Sequence, residues 1–512
     1  MKTEKLILWT DLHSNLHHED IADLPKWFDH ARNLLDFWAL AYYPYHMAKL
    51  PSMMEVEDFY PLAEVEADWE FIRKFANENN SDDFPFFMGF EWQGAGLDGD
   101  HNVFFKDNNA TIKFPMRYQE LYEEYKKSGA IAIAHHLAYQ LGNRGKNWST
   151  NVESFTPFVE VYSSHGSSEN DYGSIPMNRH IHMGPRVGVN SVEAGLALGN
   201  CFGFIASGDN HSVCGVCEFG SMAVITDEKT KDKIWEAMIK RHVYGVSNEK
   251  IKLWYSINDR LMGSKTRFGK NDEVDIKVEG SNSLDRIEII ADNEVIEMLN
   301  CHKKRELPLD ELVRFKFRVE FGWGPDRRVF PEIKLRHWHG VLQTSGKIVS
   351  VEKCWNSFGQ KIIRQDDDNL EFELTTYKTT QTGKWMGTAG VATEGFIFEI
   401  ETNINDEITL IVDGKDYIIK VRDVLNDSHL YSLDEEINEL LYDKYNERDY
   451  YRRDTWWHNS YKFKVHKGSL SNEYLYETKL ALDLSEYANV RVKVFQKNGS
   501  LAWSSPIFEE DR

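Results

Sequence analysis

Histidines and carboxylates recur through the first 215 or so residues at places where a strand reads as ending. Asp11-Leu12-His13 follows Leu6–Thr10, Glu91 follows Phe86–Phe90, and His135-His136 follows Ala130–Ala134. Glu160 and Tyr162 close Phe158–Tyr162 with His165 just beyond, and Asp209-Asn210-His211 follows Phe202–Ala206. Imidazole nitrogens mixed with carboxylate oxygens are the donor set of a borderline divalent cation such as Zn²⁺, Mn²⁺ or Fe²⁺. Such an ion lowers the pKa of a water it binds and so makes a nucleophile near neutral pH. A single histidine at a strand end is more often a hydrogen-bonded core residue, and Asp-x-His arises by chance. Recurrence at equivalent positions in five separated segments argues instead for one shared site. In that site His165 or His136 is a candidate proton donor to a leaving group. Glu160 is a further catalytic candidate, and both it and Glu169 are placed to orient a histidine. No Gly-x-Ser-x-Gly elbow is present, so a serine hydrolase has no support.

The elements that must position these residues alternate. Strands are expected at Leu6–Thr10, Phe37–Ala41, Phe86–Phe90, Ala130–Ala134, Phe158–Tyr162 and Phe202–Ala206. Helices are expected at Leu24–Leu35, Val65–Ala76, Tyr118–Lys127, Val192–Leu198 and Ile234–Arg241. Alternation of this kind points to βα units around a parallel sheet or barrel, whose strand ends converge on one mouth. From about Lys250 the pattern becomes strand after strand, as in Ile251–Ile257, Val274–Val278, Arg286–Ile290, Phe315–Phe321, Gly395–Ile400, Ile408–Val412, Asp416–Val421 and Val490–Gln496. Only Asp434–Tyr445 reads as a helix there. The expected organisation is a hydrolase domain over residues 1–248 and an accessory region over 249–512, made of one or two β-sandwich modules.

The chain has 512 residues, a net charge of −22 and a pI near 5.4. A field of that sign repels phosphate backbones and anionic bilayers, so nucleic acid and membranes are excluded as expected partners, leaving a small molecule. No run approaches the length of a membrane span, and the apolar start is too short for a signal peptide. Five cysteines in a chain this long fit a reducing, cytoplasmic setting. Cys214-Gly215-Val216-Cys217 lacks a second pair and reads as two small loop residues rather than a zinc knuckle.

Thr10-Asp11-Leu12-His13 resembles the opening motif of the PHP (polymerase and histidinol phosphatase) superfamily. Ile133-Ala134-His135 is similar to its internal Ala-His motif, and Ser207-Gly208-Asp209-Asn210-His211 to its terminal Ser-Asp-x-His motif. Gly89-Phe90-Glu91-Trp92, His101-Asn102-Val103, Val159–Ser163 with His165-Gly166, and Ala502-Trp503-Ser504-Ser505-Pro506 resemble a large two-domain branch similar to carbaryl-hydrolase-like metallohydrolases. The resemblance implies a distorted seven-stranded (β/α) barrel with up to three metals. It implies that His13 and Asp209 hold one ion, that Glu91 bridges to a second held by His101 and His135, and that His211 faces a third. Asn15 stands where that family has a histidine, and Tyr43 where it has the last residue of Thr-Asp-His. One or two ions are therefore expected rather than three. Asn15, Tyr43 and Tyr162 become candidate substrate contacts, and His17, His18 and His46 are expected to be solvent-facing loop histidines. The expected activity is hydrolysis of phosphoesters by a metal-activated water. The alternatives are hydrolysis of carboxylic esters or carbamates, and a carbohydrate-binding protein whose metal site has decayed. For the last, Trp323, Trp338 and Trp355 would have to stack on sugars, although aromatics in sandwiches are more often core.

Overall fold

The computed structural model describes residues 5–177, 183–211, 219–324, 335–355, 360–377, 393–446 and 460–510. Cys214 and Cys217 lie outside them. The first region runs β1 Leu6–Thr10, β2 Asn15–His17, α1 Leu24–Leu34, β3 Trp38–Tyr43, β4 Tyr45–Lys49, β5 Glu55–Phe59, α2 Leu62–Glu78, β6 Phe86–Trp92 and β7 His101–Phe105. It continues with α3 Tyr118–Tyr125, β8 Ile131–Ala134, β9 Phe158–Ser163, β10 Gly166–Ser167, α4 Val192–Ala197, β11 Gly203–Ala206, β12 Ser221–Thr226, α5 Lys231–Ile239 and β13 Val243–Val246. Helix α2 forms where Val65, Trp69, Ile72 and Ala76 fall on one stripe, and that stripe is buried. In α1 a proline sits in the first turn, and Trp27, Phe28 and Ala31 face the core.

These strands do not form the closed seven-stranded (β/α) barrel expected from the sequence. They form three open sheets: β2-β3-β6-β7-β8, β10-β9-β11, and β1-β12-β13 within a larger sheet. β2, β3 and β6 are parallel, as βα units require. β7 then returns antiparallel to β6 with no crossover helix, and β8 is antiparallel to β7. That hairpin breaks the repeat of right-handed crossovers from which a (β/α) barrel is built. The β9-β11 pair is parallel again and packs against β13. Gly245 lets the two backbones approach, since a Cβ there would lie 2.5 Å from the Ala206 amide nitrogen.

The sheet containing β1, β12 and β13 continues through residues 501–504, 489–496, 284–291 and 294–300. At β12 and β13 it is buried on both faces, and side-chain parity sorts the residues. Leu8, Met222, Val224 and Val243 pack into the core beneath the first region. Their neighbours Trp9, Ala223, Ile225 and Tyr244 pack into a second core with Leu253, Ile276, Val492 and Val494. That second core is the interior of a sandwich whose other sheet pairs residues 252–257, 272–279 and 475–482. Hydrogen bonding therefore runs straight through the composition change near residue 248. A second sandwich, residues 312–470, is inserted between two strands of the first. Its own core holds Phe315, Phe317, Trp338, Phe372 and Phe398. Trp338 is 1% exposed and is a core residue. His337 and His339 bond Thr375 and Glu371 within the same sheet. Among the described residues no helix is long and apolar enough to cross a membrane.

The Ser505 hydroxyl fastens the distal strands to β11. It accepts from the Phe204 amide at 3.0 Å and donates to the Val243 carbonyl at 2.5 Å. Ser505→Ala strands a buried amide and should cost about 1–3 kcal/mol. A matching fall in thermal-unfolding midpoint is the expected observation, and an unchanged midpoint would contradict this role.

Candidate metal centre

Six segments of the three sheets deliver their polar ends to one place. His13 lies just after β1, Glu91 in β6, Asp100 just before β7, and His135 and His136 just after β8. Glu160 lies in β9, His165 just beyond it, and Asp209 just after β11. None of these eight side chains is more than 4% exposed. Charges that deep need partners. His13 Nε2 lies 3.3 Å from Asp209 Oδ1 and 3.6 Å from Glu91 Oε2, and His135 Nε2 lies 3.8 Å from Glu91 Oε1. His136 Nε2 is 3.6 Å from Asp100 Oδ2, and His165 Nε2 is 2.6 Å from Asp209 Oδ2. Among the described residues, three sets have donor atoms within 4.8 Å of one another: His13, Glu91, His135; Asp100, His135, His136; and His136, His165, Asp209.

Several donors in these sets make no hydrogen bond: His13 Nε2, both Asp100 oxygens, both His135 nitrogens and His136 Nδ1. A buried polar atom without a partner costs about 1–3 kcal/mol, so this concentration of them needs a reason. Imidazole and carboxylate donors facing one another at these separations fit a divalent cation.

The remaining contacts hold the donors in place. Glu160 is turned to His13 rather than to the centre. It lies 2.8 Å from His13 Nδ1 and accepts from Ser207 Oγ at 2.6 Å. Tyr139 Oη lies 2.7 Å from His165 Nδ1. The Asp11 carboxylate accepts from the His13 and Gly208 amides and from Ser14 Oγ, which ties the end of β1 to the end of β11. A Cβ on Gly208 would lie 2.8 Å from that carboxylate. Asp209 and His136 hold φ values of 50° and 33°. Left-handed backbone at a non-glycine residue costs roughly 1–3 kcal/mol, and here it falls on two metal-capable residues.

Charge crowding sets the protonation states. Burial alone would lower the His13 pKa, but the Asp209 and Glu160 charges, the bond to Glu160 and the nearby Glu91 carboxylate raise it well above the usual histidine value. Burial works to raise Glu91 and Asp209, yet both are held well below the carboxylate range, Glu91 by His13 and His135 and Asp209 by His13 and His165. Asp100 goes the other way. Burial raises it, and the charges of Glu91 and Asp209 add to the effect. His136 is pushed well below its ordinary value by burial and by the neighbouring imidazoles His135 and His165.

Other expected site residues sit elsewhere. His101 Nδ1 is 2.9 Å from the Gly99 carbonyl, and its Nε2 is 3.0 Å from Lys146 Nζ, so neither nitrogen faces the cluster. The residue in the metal-capable sets is Asp100. Alternation along β7 explains the exchange: Asn102 reaches the Leu12 carbonyl on one face, while His101 packs on Tyr118 from the other. Sequence reading chose the histidine by residue type, although strand parity next to the Gly99 turn pointed to Asp100. His211 lies beside the centre, 3.5 Å from Asp209 Oδ1, 2.8 Å from His17 Nε2 and 3.3 Å from Asn15 Nδ2. His17 is buried, not a solvent-facing loop residue, while His18 meets Asp68 and His46 packs on Tyr60. Asn15 Nδ2 donates to Glu91 Oε2 at 3.0 Å, and the Tyr43 hydroxyl donates to Glu57 at 2.6 Å. Tyr162 stacks on Trp503. Sequence reading also missed Arg144, which pairs with Glu57, reaches Gln93 at 3.2 Å, and lies 3.3 Å from Asp100.

The loop carrying His165 is clasped by the distal strands. Glu169 accepts from Lys493 Nζ and from Trp503 Nε1 at 2.9 Å, with Arg491 3.7 Å away and itself paired to Glu193.

No family model matches the chain. An uncharacterized protein of Chlamydia pneumoniae is 24% identical over 253 residues, which cover 44% of this chain and 40% of that protein. A two-domain protein from Bacteroides vulgatus, whose crystal structure contains a predicted PHP-like metal-dependent phosphoesterase, superposes at a TM-score of 0.31 and 13% identity. That superposition covers 81% of this chain and 95% of the other.

Burial works to raise the Glu169 pKa, but Lys493 and Arg491 hold it below the ordinary carboxylate value. The clasp therefore contributes stability above the unfolded carboxylate pKa of about 4.3 and loses it as pH falls through the lower folded value. Glu169→Gln leaves buried Lys493 without its carboxylate partner and Arg491 with Glu193 alone, and should cost about 3 kcal/mol at pH 7. Thermal melts should show the gap between the two proteins narrowing below pH ~4. A gap that widens on acidification would contradict the assignment.

Proposed function

We propose that this chain is a metal-dependent hydrolase of small phosphoesters, similar in chemistry to the PHP superfamily that its motifs resemble. It would hold one or two divalent ions among His13, Glu91, Asp100, His135, His136, His165 and Asp209. The observation that carries the reading is the set of buried, unbonded imidazole and carboxylate atoms facing one another. The three sets share His135 and His136, and a neutral imidazole that keeps its proton offers one lone pair. Three complete three-ligand sites therefore do not coexist. When bound, the ion supplies Lewis acidity and lowers the pKa of a bound water.

The protein's own groups divide the remaining work. Glu160 accepts a hydrogen bond from His13 Nδ1, which leaves Nε2, turned toward Glu91 and Asp209, as the ring nitrogen that would face a cation. Burial and like neighbours keep His136 neutral, which suits it to offer a lone pair rather than a proton. The proton-donor role then falls to His165, which Tyr139 holds through Nδ1. Arg144 is partly exposed at the edge of the cluster. A guanidinium there favours an anionic phosphoester over a neutral ester or carbamate.

Purified protein should contain no more than two equivalents of Zn, Mn or Fe by elemental analysis. It should hydrolyse phosphoesters in a panel that also holds carboxylic esters and carbamates, and lose that activity on chelation. Asp209→Asn should lower activity by more than about 100-fold. Asp100→Asn should reduce metal content, while His101→Asn should retain it. Metal-free protein with full activity would refute the proposal, and loss of metal from His101→Asn but not Asp100→Asn would refute the ligand set.

A further inference from the structure

Far along the chain from the metal-capable residues, the two sandwiches enclose a cavity of about 420 Å³. Pockets of a few hundred Å³ suit small ligands. Five chain segments meet there, contributing Lys303 and Arg305, Lys467, Lys497, Asn282 with Ser283, and Ser428. Its one lining acid is Glu473. Both oxygens of that carboxylate are taken by Arg305, whose guanidinium also bonds the Gly468 and Leu425 carbonyls. Arg305 and Glu473 cancel. Lys497 acts on Glu473 only at longer range. Lys303, Lys467 and Lys497 are exposed, and their ammonium groups form no hydrogen bond or ion pair among the described residues.

Three uncompensated ammonium groups around one concavity are unusual in a chain of net charge −22. Other lysines at the sandwiches meet acids, as Lys479 meets Glu273 and Lys316 meets Glu279. Lysine is a point-charge donor well suited to phosphate oxygens. Two phosphoryl groups carry roughly −3 to −4 at neutral pH, which matches the lysine surplus. The Ser283 and Ser469 hydroxyls, 2.8 Å apart, lie beneath and link the two sandwiches.

We propose that this cavity binds a small molecule bearing a diphosphate group, with Lys303, Lys467 and Lys497 as its charge partners. Occupancy would join segments of both sandwiches, so the ligand would act as a stabilising effector remote from the metal centre. The site is independent of the proposed hydrolase activity. It is tested with the full chain stripped of metal by EDTA, titrated with inorganic pyrophosphate by calorimetry at ionic strength fixed with KCl. Saturable binding tighter than about 1 mM is expected, with a weakening of at least tenfold in Lys467→Gln/Lys497→Gln. Both lysines are exposed, so the variant should keep the wild-type melting temperature and hydrolase rate. The proposal is overturned by no saturable binding to wild type, by equal affinity in the variant, or by replacement of the pyrophosphate effect with KCl alone.

Discussion

One part of the nine-stranded sheet is buried on both faces, and the rest of the molecule depends on it. In β1, β12 and β13, alternate side chains serve two cores: Leu8 and Val224 face the first region, Trp9 and Ile225 the sandwich. Every residue of these strands must then be apolar or hydrogen-bonded, with no solvent face to absorb a register error. A slip of one residue would exchange the two cores. The same strands aim His13 at the centre from the end of β1, so the packing that joins the two regions also sets the site.

Within the site the governing quantity is charge density. Glu91, Asp100 and Asp209 converge with His13, His135, His136 and His165 where water is excluded. Without a cation the balance is struck among these groups themselves, which explains why Asp100 is driven up while Glu91 and Asp209 are held down by their histidine neighbours. A bound dication would reverse that balance. The left-handed backbones of His136 and Asp209 point the same way, as strain retained to aim donors inward.

Much of this was legible in the sequence. The helices around Leu24–Leu34 and Leu62–Glu78 carry clean apolar stripes, and strands ending at His13, Glu91, His135 and Asp209 stood out as apolar runs bounded by polar residues. What escaped has physical causes. β12 and β13 lack the alternation that marks a one-faced strand, because both faces are buried. The β4-β5 hairpin has charged residues on a half-exposed ribbon and no apolar face to signal it. The β6-β7 hairpin replaced a crossover helix, so barrel closure could not be inferred from alternation. Asp100 was hidden beside a histidine of more obvious chemistry. The clasp on Glu169 joins residues more than 300 positions apart, and no local pattern encodes it.

That clasp bears on the order in which the molecule comes into being. A nascent polypeptide emerging residue by residue has its histidines and carboxylates long before Lys493, Trp503 and Ser505 leave the ribosome. Until they do, β13 has an open edge, Glu169 has no cation, and the Phe204 amide has no acceptor. Completion of the histidine and carboxylate cluster therefore waits on these distal strands. A fragment ending at residue 248 would expose Trp9, Ala223, Ile225 and Tyr244 as a sticky face rather than yield a free-standing unit.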